Sequence, residues 1–209
     1  VKLSLRHLLP AALSLLIAGP VAGAGVERLQ QLTKSLTSFQ AGFVQTLYDA
    51  DSEPVQESRG AVIVKRPGRF RWDYKAPYEQ QIIADGERLW IYDSELAQVT
   101  VKRIDRALGA APILLLSGSR PLEEQFELRD LGEREGLEWV ELTPRVQDTD
   151  FHKIYIGLDA GGLGVMELRD GFGQATQIRF NDFERNVPAP DELFSFTPPA
   201  GVDVIGEGQ

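Results

Sequence analysis

The chain has 209 residues, 43% hydrophobic and 25% charged, with 22 basic against 31 acidic side chains and a net charge of −9. That balance belongs to a folded globular chain of about one domain and excludes collagen-like, coiled-coil and disordered polymers. So acidic a chain is not expected to bind nucleic acid. The lack of cysteine excludes disulfides, thiolate metal sites, a Cys nucleophile and a lipidated N-terminal Cys within this sequence.

Residues 1–24 have the layout of an export leader. Lys2 and Arg6 precede an apolar run from Leu8 to Ile17, which is too short to span a bilayer, and Ala22-Gly23-Ala24 follows as a small-residue cleavage site. Cleavage near Ala24 is expected, leaving residues 25–209 as one exported, soluble domain.

The mature part opens with apolar residues at helical spacing, Val26, Leu29, Leu32 and Leu36, which predict an amphipathic helix over 26–37. The period then changes to two. Phe39, Ala41, Phe43 and Leu47 share one strand face, and residues 49–54 turn. Val62, Val64 and Arg66 lie on one side of the next strand. Pro67-Gly68 turns into Arg69-Phe70-Arg71-Trp72-Asp73-Tyr74, where charged and aromatic residues alternate. Short strands follow around 82–83, 88–93 and 98–104, the first two separated by Asp85-Gly86, a strong hairpin dipeptide. The stretch 107–118 is small-residue rich, then continuously apolar, and breaks the pattern. Further strands are predicted at 126–131, 137–143, 151–158, 164–169, 174–183 and 192–196. The expected architecture is mainly β within the α+β class, a strongly curved antiparallel sheet or incomplete barrel with one N-terminal helix and one apolar insert.

Catalytic signatures are missing. There is no G-x-S-x-G elbow, no H-E-x-x-H and no Walker loop. Gly171-Phe172-Gly173 reads as a hairpin turn, and His152 as a surface or edge residue. No two carboxylates stand out as a hydrolytic pair. Lys65 to Trp72 mixes basic and aromatic residues as a stacking platform for nucleic acid would, but in an acidic exported chain it reads as a hairpin with one polar and one aromatic face. The chain is therefore not expected to be an enzyme, and no cofactor or metal is implied.

What the sequence does carry is an apolar surplus on the sheet. Phe70, Trp72 and Tyr74 share a face, and Leu89-Trp90-Ile91-Tyr92 is apolar on both faces. One antiparallel layer normally buries one side, so a cover is needed, and the 26–37 helix and the 107–118 insert are the candidates. Pattern alone leaves two arrangements open. The cover packs permanently over a dry core, or sheet and cover enclose a space for an apolar ligand. In the second, the lining is expected from Phe43, Val62, Val64, Trp72, Trp90, Ile113, Leu114 and Leu116. Arg66 shares a face with Val62 and Val64. Either its guanidinium turns inward to the last carbonyls of a cover helix, which lack internal donors, or it reaches water through its stem.

Several stretches resemble the LolA family of periplasmic outer-membrane lipoprotein carriers. They are Lys65 to Trp72, Asp85-Gly86 with Leu89-Trp90-Ile91-Tyr92, Gln98-Val99, Pro112 with the run 113–116, and Phe194-Ser195-Phe196-Thr197-Pro198-Pro199-Ala200-Gly201-Val202. The resemblance implies an incomplete antiparallel barrel under a helical lid. It further implies a non-enzymatic, monomeric periplasmic chaperone that takes acylated lipoproteins from an inner-membrane ABC-type Lol release complex to the outer-membrane receptor LolB. It makes Arg66 the lid latch, bonded to lid-helix backbone near Leu116 and Ser117, and places Phe70 in the region governing partner interaction and cargo retention. The related receptor carries a lipidated N-terminal Cys, which this sequence lacks. A periplasmic sensor or regulatory interaction module of similar fold, binding a lipid or protein signal, is the alternative.

Overall fold

The computed structural model describes residues 23–104, 114–118, 121–146 and 151–206. The leader expected over 1–24 lies almost wholly outside them, as does Ile113. Helix α1 runs Ala24–Ser35 and is followed by strands β1 Ser38–Tyr48, β2 Pro54–Lys65, β3 Arg69–Ala76, β4 Gln80–Asp85, β5 Arg88–Asp93 and β6 Gln98–Arg103. Two short helices, α2 Leu114–Ser117 and α3 Leu122–Gln125, lead to β7 Phe126–Arg134, β8 Leu137–Pro144, β9 Lys153–Leu158, β10 Leu163–Arg169 and β11 Ala175–Arg185. A 3-10 turn at Asp191–Phe194 and β12 Asp203–Gly206 complete the described chain.

The strands form one 12-stranded sheet in the order β12-β6-β5-β4-β3-β2-β1-β11-β10-β9-β8-β7. Neighbours are antiparallel except β12, which joins β6 in parallel. The two edges, β12 and β7, do not meet, so the curved sheet is an unclosed barrel. Period-two alternation puts its apolar side chains on the concave face. There Ile178, Met166, Ile156 and Val140 stand opposite one another across four successive strands. Helix α1 lays Leu29 and Leu32, with Leu36 just beyond its end, into the same core.

Two stretches differ from the sequence pattern. The strand expected at 192–196 is instead the 3-10 turn at 191–194. Pro190 sits at its N-cap with Asp191 and Glu192 in its first turn, and that chemistry starts a helical turn rather than a ladder. The aromatic alternation at Phe194 and Phe196 serves a different purpose: Phe194 is buried, and Phe196 folds back onto the sheet's convex face, 6.4 Å from Trp90 and 5.8 Å from Tyr92. The C-terminal segment therefore covers the convex face of β5; most of the insert expected to cover the sheet lies outside the described residues.

Candidate functional site

The central strands build the site in two cross-strand rows. Ala41, Val62, Trp72, Ile82 and Ile91 form one, and Phe39, Val64, Phe70, Ala84 and Leu89 the other. Nearly all of these residues are buried on the concave face. A third row nearer the strand ends holds Phe43, Gly60 and Tyr74. Gly60 is required there. A Cβ on it would sit 1.9 Å from the Asp73 carbonyl oxygen and 2.9 Å from the Phe43 ring. The missing side chain lets Phe43 lie against Trp72 at 4.4 Å and edge-on to Tyr74 at 5.3 Å, with Phe180 beyond Trp72 at 6.4 Å.

Of the residues expected to line an apolar space, Phe43, Val62, Val64, Trp72 and Leu116 come together in this concave core with Phe70. The backbone of Leu114 belongs to α2. Trp90 does not join them. It pairs with Ile83 and Val101 in a row continuing to Arg71 and Ile63, which is the convex face. Leu89-Trp90-Ile91-Tyr92 is apolar on both faces, and register rather than pattern decides which residue points where.

Arg66 follows β2 and turns inward under the lid. Its Nη2 donates to the Gly118 carbonyl at 2.7 Å and its Nε to the same oxygen at 3.2 Å. Its Nη1 donates to the Thr33 carbonyl and, at 3.3 Å, to that of Leu36. These are the C-terminal carbonyls of α1 and the exit of α2, groups that helix geometry leaves without partners. The guanidinium is half-buried, and desolvation lowers its pKa from the ordinary value, yet arginine stays charged at any working pH. The neighbouring Gly68 N–H donates to the Ser117 carbonyl at 2.7 Å. One hairpin thus grips both helices.

Two further anchors of α1 lie far from it in sequence. Asn186, in a left-handed conformation with φ 56°, accepts hydrogen bonds from the Thr37 N–H and hydroxyl at 2.9 and 3.0 Å. It also donates to the Ser35 carbonyl at 3.4 Å. The available hint was its residue type beside Val187-Pro188, since Asn tolerates positive φ at turns. At the other end, Asp130 on β7 accepts from the Gly25 N–H at 2.8 Å and the Gly132 N–H at 2.7 Å. The Gly132 bond, then those from the start of α1, hold this carboxyl below the usual carboxylate range.

The concave face is closed beneath α1, where Leu29, Leu32, Leu36 and Leu116 meet Phe39, Val64 and Phe70. Open space adjoins it at both ends of the strands. A groove of about 640 Å³ runs along the flank of α1 beside Leu32, Leu158 and Arg185. At the opposite rim, a mouth of about 390 Å³ is lined by Gln45, Ser58, Tyr74, Tyr78, Gln80 and Leu96 among others. The Tyr74 hydroxyl donates to Gln45 Oε1 at 3.0 Å, and burial pushes its pKa up to about 12. The mouth is polar at its rim and gives way to apolar side chains along the concave face.

A family model described as outer membrane lipoprotein carrier protein LolA matches residues 34–197. The chain is 45% identical over 186 residues to the outer-membrane lipoprotein carrier protein of Dechloromonas aromatica, covering 89% of each sequence. It is 44% identical over 194 residues to that of Nitrosospira multiformis, covering 92% of this chain and 94% of the relative. Among solved structures, an uncharacterized conserved protein from Thermus thermophilus superposes with a TM-score of 0.53 at 16% identity, over 87% of this chain and 96% of that one, a likeness of fold alone. The chain belongs to the LolA family of outer-membrane lipoprotein carrier proteins.

Proposed function

We propose that this protein is a soluble periplasmic carrier that shelters the acyl chains of lipoproteins between its concave sheet and its helical lid. It would receive them from the inner-membrane Lol release complex and hand them to LolB. Residues 1–24 are the leader, cut near Ala24, and 25–209 the carrier domain. The physical need is large. Burying a methylene is worth about 0.8 kcal/mol, so one acyl chain of about 16 carbons costs roughly 10 kcal/mol or more to expose to water. A carrier must meet most of that cost and still let go.

The observation that carries this reading is the Arg66 latch, with one guanidinium on the carbonyls of α1 and on the exit of α2. These bonds favour the closed lid without touching the apolar lining, so closure competes with the ligand and drives release. The opposite rim supports the same reading. Among the described residues, Val55, Tyr78, Leu96, Val146 and Phe172 are large apolar side chains exposed on or beside the loops of that one rim, a face suited to a partner that receives cargo.

The test is Arg66→Leu, followed for uptake of an acylated lipoprotein and for its transfer to the membrane receptor. Uptake is expected to persist while transfer slows about tenfold or more. Transfer at the normal rate removes the latch.

A further inference from the structure

Trp72 presents a buried hydrogen-bond donor that no described residue accepts. The residue is 4% exposed, and its indole Nε1 is buried with no hydrogen-bond partner among the described residues. A buried donor left unmet is costly, and tryptophan is normally placed so that its N–H finds an acceptor. The surroundings are the rings of Phe43, Tyr74 and Phe180, at 4.4, 6.1 and 6.4 Å between centroids. Two residues along the same strand face, Tyr74 points its hydroxyl to Gln45 and lines the mouth. That hydroxyl is close enough to be influenced by the indole N–H, but the pair does not reach hydrogen-bond geometry. Along β3 the concave face therefore passes from apolar Phe70, through the unpaired N–H of Trp72, to the polar pair Tyr74–Gln45 and open water.

That order matches an amphiphile entering tail first. The hydrocarbon reaches the Val64–Phe70 row and the head stays at the mouth. The level of Trp72 is where the first acceptor of the head meets the last of the tail. Resting on the carrier function proposed above, we infer that the Trp72 Nε1–H is the donor for an ester carbonyl joining an acyl chain to its glyceryl head. It acts as a specificity-determining contact that separates acyl esters from plain hydrocarbon chains.

The experiment compares two synthetic probes, a dipalmitoyl-glyceryl-cysteine peptide and its dihexadecyl ether counterpart, which lacks only the two ester carbonyls. The wild type is expected to bind the ester about five- to tenfold more tightly, the equivalent of one net hydrogen bond. Trp72→Phe keeps an aromatic ring and removes the N–H. It is expected to weaken the ester by that same factor and to leave the ether unchanged. Tyr74→Phe, whose hydroxyl already serves Gln45, is expected to keep the ester-to-ether ratio within about twofold. Equal binding of both probes by the wild type overturns the inference while leaving the carrier function standing. So does a Trp72→Phe protein that weakens both probes alike or keeps the wild-type ratio. Failure of either probe to bind at all overturns both.

Discussion

Asp130 and Arg66 hold opposite ends of one helix with opposite charges. The carboxylate receives the Gly25 N–H at the start of α1, and the guanidinium donates to the Thr33 and Leu36 carbonyls at its finish. An anion sits at the positive end of the helix dipole and a cation at the negative end. The two residues come from distant parts of the sheet, β7 and the turn after β2, so α1 is held at both of its ends. The fixings differ in kind. At the start, Gly25 is packed so closely that a Cβ would lie 3.2 Å from Asp130 Oδ2 and 3.3 Å from Val140 Cγ2. At the finish, the contacts are hydrogen bonds to carbonyls that water can replace. Opening is expected to begin at the Arg66 end.

Arg66→Lys tests that asymmetry. Lysine keeps the charge but replaces a planar fork by a single ammonium on a flexible stem, which cannot serve the carbonyls of α1 and Gly118 together. The expected loss in stability is about 1–3 kcal/mol. Amide hydrogen exchange should accelerate at Leu32 to Leu36 and at the exit of α2, while Glu27 to Leu29 keep their protection. Equal acceleration along all of α1 would show instead that the helix releases as a rigid body.

Period two was enough to place Val62, Val64, Phe70, Trp72 and Tyr74, because alternation is a property of the strand itself. It put Arg66 on the same side as Val62 and Val64 but left open whether the guanidinium turns inward or reaches water, because Arg66 lies just past the end of β2. Trp90 escaped because its strand is apolar on both faces, and only the pairing of Trp90 with Ile83 assigns it to the convex side. Phe194 and Phe196 look like strand residues for the same reason, yet the proline-flanked turn before them makes a separate cover. Asp130 and Asn186 act on α1 from 105 and 149 residues away. No local pattern marks a side chain whose role is set by what lands beside it.

The Asp130 end has its own signature in acid. Its hydrogen bonds to Gly132 and Gly25 depress the folded-state pKa below the ordinary value of 3.8. A depressed carboxyl contributes stability that is fully present above the unfolded pKa and lost as pH falls through the folded one. Asp130→Asn is expected to cost about 0.5–1 kcal/mol at neutral pH after allowance for solvent screening. The gap to the wild type should then close as pH drops from about 4. Asp191 and Glu141 are depressed as well, so the difference between the two denaturation curves, not the wild-type curve, isolates Asp130. A gap that stays constant down to acid would remove the charge from the account.

The C-terminal strap, the segment that holds Phe194 and carries Phe196 onto the convex face, poses a question of magnitude. Asp191 joins it to the sheet through Lys65 at 2.6 Å and Arg69 at 3.2 Å, on the same hairpin that carries Arg66. The carboxylate is well exposed, with a side-chain exposure of 66%, and pairs in that setting are screened and contribute little. Phe194, three residues on, is only 1% exposed, and truncating a buried phenylalanine costs about 3–5 kcal/mol. Burial therefore outweighs the ion pairs in holding the segment down. Asp191→Asn should leave the urea midpoint nearly unchanged and remove what little salt dependence the strap has. Phe194→Ala should lower the midpoint sharply and shift the Trp90 fluorescence as Phe196 lifts away. If the two substitutions proved equally costly, the ion pairs would be the true fastening, and the position of this hairpin, and with it of Arg66, would depend on ionic strength.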